Sequence, residues 1–164
     1  MPMQALQIFH VNVNCSNLER SLAFYERIGF RQVIDFNDSG TGEALGEPQL
    51  GPALGLPPES SARARMLMLG DNPRSARLDL IEWQDTDPAS PPYPSLTHLG
   101  IARICLRVRD IDEAYREMID AGEKPFTAPT LINMGGTRQK FFCVCDPDGT
   151  VIEFMEFLRD SART

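Results

Sequence analysis

Four side chains in this 164-residue chain have the right types for proton transfer or ion binding: His10, Asp79, Arg103 and Glu153. An imidazole with two carboxylates can ligate Mn²⁺, Mg²⁺, Co²⁺, Ni²⁺ or Zn²⁺, since mixed nitrogen and oxygen sets suit such ions. A carboxylate can also act as general base on a carbon acid, with a guanidinium stabilising the enolate oxygen. The four are far apart in sequence, so only the fold can gather them. Other chemistry is poorly represented. The cysteines, Cys15, Cys105, Cys143 and Cys145, form no CxxC pair, so neither a thioredoxin-like motif nor a thiolate zinc site is expected. They read as reduced, mostly buried thiols. No Ser–His or Cys–His pair stands out for nucleophilic catalysis.

The elements that must position these residues occur twice. Phe9–Asn14 overlays Ala102–Arg107, and both alternate apolar and polar residues as a half-buried strand does. A helix follows each. Ser16 or Asn17 caps the first and Asp110 the second. Leu18, Leu22, Phe24, Tyr25 and Ile28 form one apolar face; Ile111, Ala114, Tyr115, Met118 and Ile119 form the other. The helices stop at Gly29 and Gly122. Arg77–Trp83 then overlays Val151–Phe157, acid over acid twice. Two overlays in the same order indicate duplication. Further strands are expected at Phe30–Phe36, Arg65–Leu69 and Ala76–Trp83 in the first half. In the second they fall around Lys124–Thr127, at Arg138–Cys145 and at Thr150–Phe157, with a hairpin at Asp148-Gly149. Residues 1–84 thus form a first module with a long insert, about 37–64, expected to be a flap. Residues 85–99 form a Pro-rich linker, and 100–164 a second module.

Two stretches carry a resemblance to a known family. One runs from His10 through Val-Asn-Val-Asn-Cys-Ser-Asn-Leu-Glu-Arg-Ser-Leu-Ala-Phe-Tyr25 to Gly29-Phe30; the other is Asp146-Pro147-Asp148-Gly149-Thr150-Val151-Ile152-Glu153. They resemble the opening strand–helix and closing hairpin of the vicinal oxygen chelate superfamily, the fold of glyoxalase I, bleomycin-resistance proteins and extradiol dioxygenases. The resemblance implies an α+β fold of two βαβββ modules, with curled mixed β-sheets around a cleft and helices outside. It also implies that, where a member uses a metal, the ligands come from the first and last strand of each module, here His10, Asp79, Arg103 and Glu153. Strand parity reaches the same positions. If the helices cover Phe9/Val11/Val13, Leu78/Leu80, Ile104/Leu106/Val108 and Ile152/Phe154, the opposite faces present His10, Asn12, Asp79, Arg103, Cys105 and Glu153. Ile81, Trp83 and Met155 share that parity and make the cleft partly apolar, as small-molecule sites are.

Arg103 stands where the resemblance puts a fourth ligand, usually His. A guanidinium has no lone pair to give and stays charged. At about 5 Å and an effective dielectric near 20, it repels a dication by roughly 6–7 kcal/mol, or about four to five decades of affinity. Two alternatives follow: a divalent ion held by His10, Asp79 and Glu153, or a metal-free cleft in which Arg103 pairs with a carboxylate or an anionic substrate group. The repulsion favours the second. Iron(II) ring cleavage wants two histidines and a carboxylate. Only His10 stands at an expected position, and His98 falls on the opposite parity.

The expected function is that of a glyoxalase-like lyase or isomerase. Glu153 and Arg103 are the candidate catalytic residues; Asn12, Cys105, Trp83, Arg138 and Met155 are candidate substrate contacts. Arg138 enters through the Gly135-Gly136-Thr137-Arg138 loop, which reads either as a turn or as an anion grip. The alternative is a metal-free binding or sequestering protein of the bleomycin-resistance type. Glu82 and Glu156 read as solvated strand-end charges facing away from the cleft. Lys plus Arg total 16 against 23 Asp plus Glu, a net charge of -7, which argues against nucleic acid and anionic membrane. No apolar run approaches the roughly 20 residues of a membrane helix. Met1–Leu6 lacks a basic or strongly apolar leader, so a cytoplasmic protein is expected. Modules of about 80 residues are marginal alone, which favours a homodimer.

Overall fold

The computed structural model describes residues 4–36, 53–84, 92 and 95–158. It divides into two compact units, Met1–Ser90 and Pro91–Thr164.

The first unit runs β1 (His10–Asn14), α1 (Leu18–Arg27), β2 (Phe30–Asp35), β3 (Ser61–Leu69) and β4 (Arg77–Gln84). Its sheet has the order β1-β4-β3-β2. The β1–β4 pair is parallel and the others are antiparallel. The second unit repeats this with β5 (Ile104–Arg107), α2 (Ile111–Asp120), β6 (Thr130–Met134), β7 (Thr137–Cys145) and β8 (Val151–Leu158). Its order is β5-β8-β7-β6, with β5–β8 parallel. Both units are therefore βαβββ modules with mixed sheets, the α+β fold the sequence implied.

The duplication is visible bond by bond. Asn17 caps α1 by accepting from the Arg20 amide, and Asp110 caps α2 by accepting from the Glu113 amide, at equivalent places. Asn17, not Ser16, is the first cap, since Ser16 Oγ instead accepts from the Arg20 guanidinium. In the parallel pairs, Cys15 N–H donates to the Ile81 carbonyl and Val108 N–H to the Met155 carbonyl, both at 2.8 Å. Gly29 and Gly122 end the helices at φ of 100° and 83°, the left-handed region that favours glycine.

Each helix packs on one sheet face. Leu18, Phe24 and Tyr25 are buried with Leu67, Leu78 and Leu80 in the first unit. In the second, Ile111 and Met118 are buried with Phe142, Val144, Ile152 and Phe154. Tyr115 meets Phe142 edge-on, and Phe142 stacks on Phe154.

Several expectations need correction. Ile119 is 46% exposed and leaves the apolar face, while the small Ser21 is fully buried in α1. Phe9 precedes β1, is half exposed, and lies under the Arg77 guanidinium rather than beneath a helix. The strand β3 begins at Ser61, inside the expected insert, because Ala62 and Ala64 pack against Ile81, with Phe36 and Trp83 beside them. The strand expected around Lys124–Thr127 is displaced to Thr130–Met134. Pro125 and Pro129 break the earlier stretch, and Gly135 and Gly136, both at positive φ, make a two-residue hairpin into β7. Most of the insert and linker, residues 37–52, 85–91 and 93–94, lie outside the described residues. No helix among the described residues is long and apolar enough to cross a membrane.

Candidate active-site residues on the two sheets

Each sheet has one face under its helix and one turned away from it. On the first, strand register puts Asn12 opposite Asp79 and His10 opposite Arg77, all on the face away from α1. His10 Nδ1 lies 3.6 Å from Asp79 Oδ2. Asp79 is 8% exposed, and burial raises its carboxyl above the usual aspartate value, opposed by the charges of His10 and Arg77. Its other oxygen, Oδ1, is buried without a hydrogen-bond partner, as is Arg77 Nε. An unpaired buried acceptor is costly. Farther along the same face, Trp83 Nε1 donates to Asn14 Oδ1 at 3.1 Å. Met66 and Ile81 add buried apolar surface there.

On the second sheet, Glu153 lies between Cys105 on β5 and Cys143 on β7. Glu153 is 7% exposed and forms a hydrogen-bonded ion pair with Arg103 Nε through Oε2. Cys105 is exposed, yet its thiol is pushed up to about 12: burial of the sulfur contributes most, then its hydrogen bond to Glu153 and that residue's charge, with Arg103 opposing. Burial and the Glu153 charge also raise Cys143. Both sulfurs are therefore neutral thiols and poor nucleophiles at physiological pH. Met155 continues this face opposite Arg107.

The sequence-derived positions thus fall into two groups: His10, Asn12 and Asp79 with Trp83 on the first sheet, and Arg103, Cys105, Glu153 and Met155 on the second. Arg138 does not join the second group. It is exposed on β7 five residues before Cys143, hence on the helix-bearing face. His98 is exposed, with Nδ1 3.1 Å from the Leu99 carbonyl. Glu82 and Glu156 do face away from Asp79 and Glu153, but they are not merely solvated charges. Glu82 Oε2 accepts from the Leu18 amide and Glu156 Oε2 from the Ile111 amide, each at 3.0 Å. Each closes a helix N-terminus from across the module. Sequence reasoning also missed Cys143 as a neighbour of Glu153, which the register set by the Asp148-Gly149 hairpin could have placed there.

Neither sheet by itself offers a set that fits a divalent ion: the first offers His10 and Asp79, and the second offers Glu153, which is engaged by the Arg103 guanidinium. Among the described residues no group of three or more His, Cys, Asp or Glu side chains is placed to hold an ion. The motif Asp146-Pro147-Asp148-Gly149 serves the fold instead. The buried Asp146 accepts through Oδ1 from the amides of Asp148 and Thr150 and so fixes the closing hairpin.

This architecture has relatives. A glyoxalase family protein from Bacillus cereus matches with a TM-score of 0.73 at 19% identity, covering 96% of this chain and 97% of that one. A glyoxalase family protein from Enterococcus faecalis matches at 0.60 and 26% identity, covering 92% and 97%. A glyoxalase/dioxygenase from Nostoc punctiforme matches at 0.58 and 16% identity, covering 97% and 100%. No curated protein matches the sequence. The family model for the Glyoxalase/Bleomycin resistance protein/Dioxygenase superfamily matches residues 7–154, nearly the full repeat. With both modules, their register and this match in agreement, the chain belongs to the glyoxalase/bleomycin resistance protein/dioxygenase superfamily.

Proposed function

We propose that the protein is a small-molecule lyase or isomerase in which Glu153 acts as general base and Arg103 replaces a metal as the electrophile. The observation that carries this reading is the Arg103–Glu153 pair, a buried carboxylate oriented by a guanidinium on the face away from the helix. Glu153 takes a proton from a carbon beside a carbonyl. The bonding electrons move onto the carbonyl oxygen, and the Arg103 fork donates to that oxygen. Reprotonation at the neighbouring carbon completes an isomerisation, and expulsion of a leaving group completes a lyase step. Cys105 supports the base by hydrogen bonding to it. The residues do not favour a divalent cofactor, and no step requires one. The same reading takes the protein to be a cytoplasmic homodimer acting on a small molecule.

The test is proton–deuterium exchange into a panel of 2-oxo and acyl compounds, followed by NMR. Glu153→Gln should lower exchange by about 10²–10⁴-fold, the usual share of a positioned base. Exchange that persists unchanged in Glu153→Gln overturns the assignment. One observation favours a second reading, a ligand-sequestering protein without chemistry: the Glu153 charge is already neutralised by Arg103. Ligand-induced thermal stabilisation with no exchange of any tested compound would select it.

A further inference from the structure

At the ends of β5 and β8 the second unit has an open concavity lined by Arg107, Val108, Arg109, Glu156, Phe157 and Leu158. Arg107 lays its guanidinium over the Phe157 ring, 5.5 Å from the centroid. Phe157 is 40% exposed, and both arginines are exposed. Among the described residues no carboxylate lies within ion-pair distance of Arg107 or Arg109. The one acidic lining residue, Glu156, is committed to the Ile111 amide through Oε2. Two guanidinium groups without a carboxylate partner among the described residues therefore border a hollow that also offers a ring and the side chains of Val108 and Leu158.

The first module differs at the same place. Its residues equivalent to Arg107 and Phe157 are Asn14 and Trp83, which satisfy each other through a direct hydrogen bond. In the second module that closed neutral pair has become a cation over a ring. The ring attracts the cation through its face and does not itself occupy the guanidinium N–H donors, which meet no acceptor among the described residues. A planar fork of donors matches a carboxylate by two parallel hydrogen bonds, and Phe157 and Leu158 suit an apolar body attached to it.

We propose that this concavity is a binding site for an organic carboxylate whose apolar, preferably aromatic, part rests on Phe157. Its lining includes neither Arg103 nor Glu153. Cys105 is the β5 residue opposite Glu153, and Arg107 lies two residues on, about 6.6 Å along the strand. The proposal therefore stands whether or not Glu153 is a base.

The experiment is titration of the full chain with benzoate, followed by the backbone amide shifts of residues 107–109 and 156–158. Benzoate should saturate these shifts, bind more weakly as salt rises, and bind at least about tenfold more weakly to Arg107→Gln and Arg109→Gln. Both side chains are exposed, so both variants should fold. Benzylamine binding as well as benzoate, phosphate binding where benzoate does not, or wild-type affinity in both variants would each overturn the proposal. Benzoate affinity preserved in Glu153→Gln would confirm that the two sites are separate, and its loss there would refute that separation.

Discussion

The hydrogen bond between Cys105 and Glu153 has a measurable chemical signature. Cys105 is raised from 9.0 to about 12. A thiol held that high carries far less thiolate at neutral or mildly alkaline pH than an ordinary surface cysteine. Since the thiolate is the nucleophile, the exposed Cys105 should react with iodoacetamide far more slowly than an ordinary surface cysteine. Glu153→Gln removes the charge and weakens the hydrogen bond, two of the four causes that raise the thiol, while leaving the shape. A hydrogen bond to a charged group contributes about 1.5–3 kcal/mol. Cys105 is solvent-exposed, so screening points to the lower end, which is about a tenfold gain in alkylation rate at pH 8. Arg103→Gln should act oppositely, because Arg103 is the one group that lowers this thiol. The assay is timed alkylation with quantitation of the Cys105 peptide by mass spectrometry. Cys145, raised by burial and by Asp146 rather than by Glu153, serves as the internal reference. An unchanged Cys105 rate in Glu153→Gln, or equal acceleration at Cys145, would refute the described contact.

Three further outcomes are expected. Glu82→Ala should destabilise the protein by about 1–2 kcal/mol in urea unfolding, because the Leu18 amide loses its cap and Arg63 loses a partner. Asp79 binds its proton more tightly folded than unfolded. Its contribution to stability is therefore fullest below its unfolded value near 3.8 and declines as pH rises through the folded one; Asp79→Asn should flatten the stability profile over that window. Gly136→Ala should cost about 1 kcal/mol or more of thermal stability, since φ at that hairpin position is 78°.

Much of this architecture was legible in the residues because duplication prints the same pattern twice. The alternation around His10 and Arg103, the caps Asn17 and Asp110 and the stops Gly29 and Gly122 are local signals, and the register of both parallel pairs agrees with the overlay drawn from them. Side-chain parity likewise separated Asp79 and Glu153 from the helix-bearing faces. Less legible were features decided by contacts distant in sequence. Glu82 meets Leu18 across 64 residues and Glu156 meets Ile111 across 45, so nothing nearby marks them as caps. The position of β6 depended on two prolines and a glycine pair overriding the apolar residues near Phe126. Ile119 looked like a core residue from helical spacing, but it falls near the end of α2, where the apolar stripe has already turned from the sheet.

The paired carboxylate ties, Glu82 to α1 and Glu156 to α2, have a consequence for how such a molecule diversifies. They secure each helix from the side of the sheet that bears it, so the reverse side is released from that duty. There, histidine stands in one copy where arginine stands in the other, and an asparagine–tryptophan bond matches an arginine–phenylalanine contact. Grafting Asn14 and Trp83 into the second copy, as Arg107→Asn with Phe157→Trp, should therefore abolish benzoate binding, read from the amide shifts of residues 107–109 and 156–158, while leaving the supporting half of the module undisturbed.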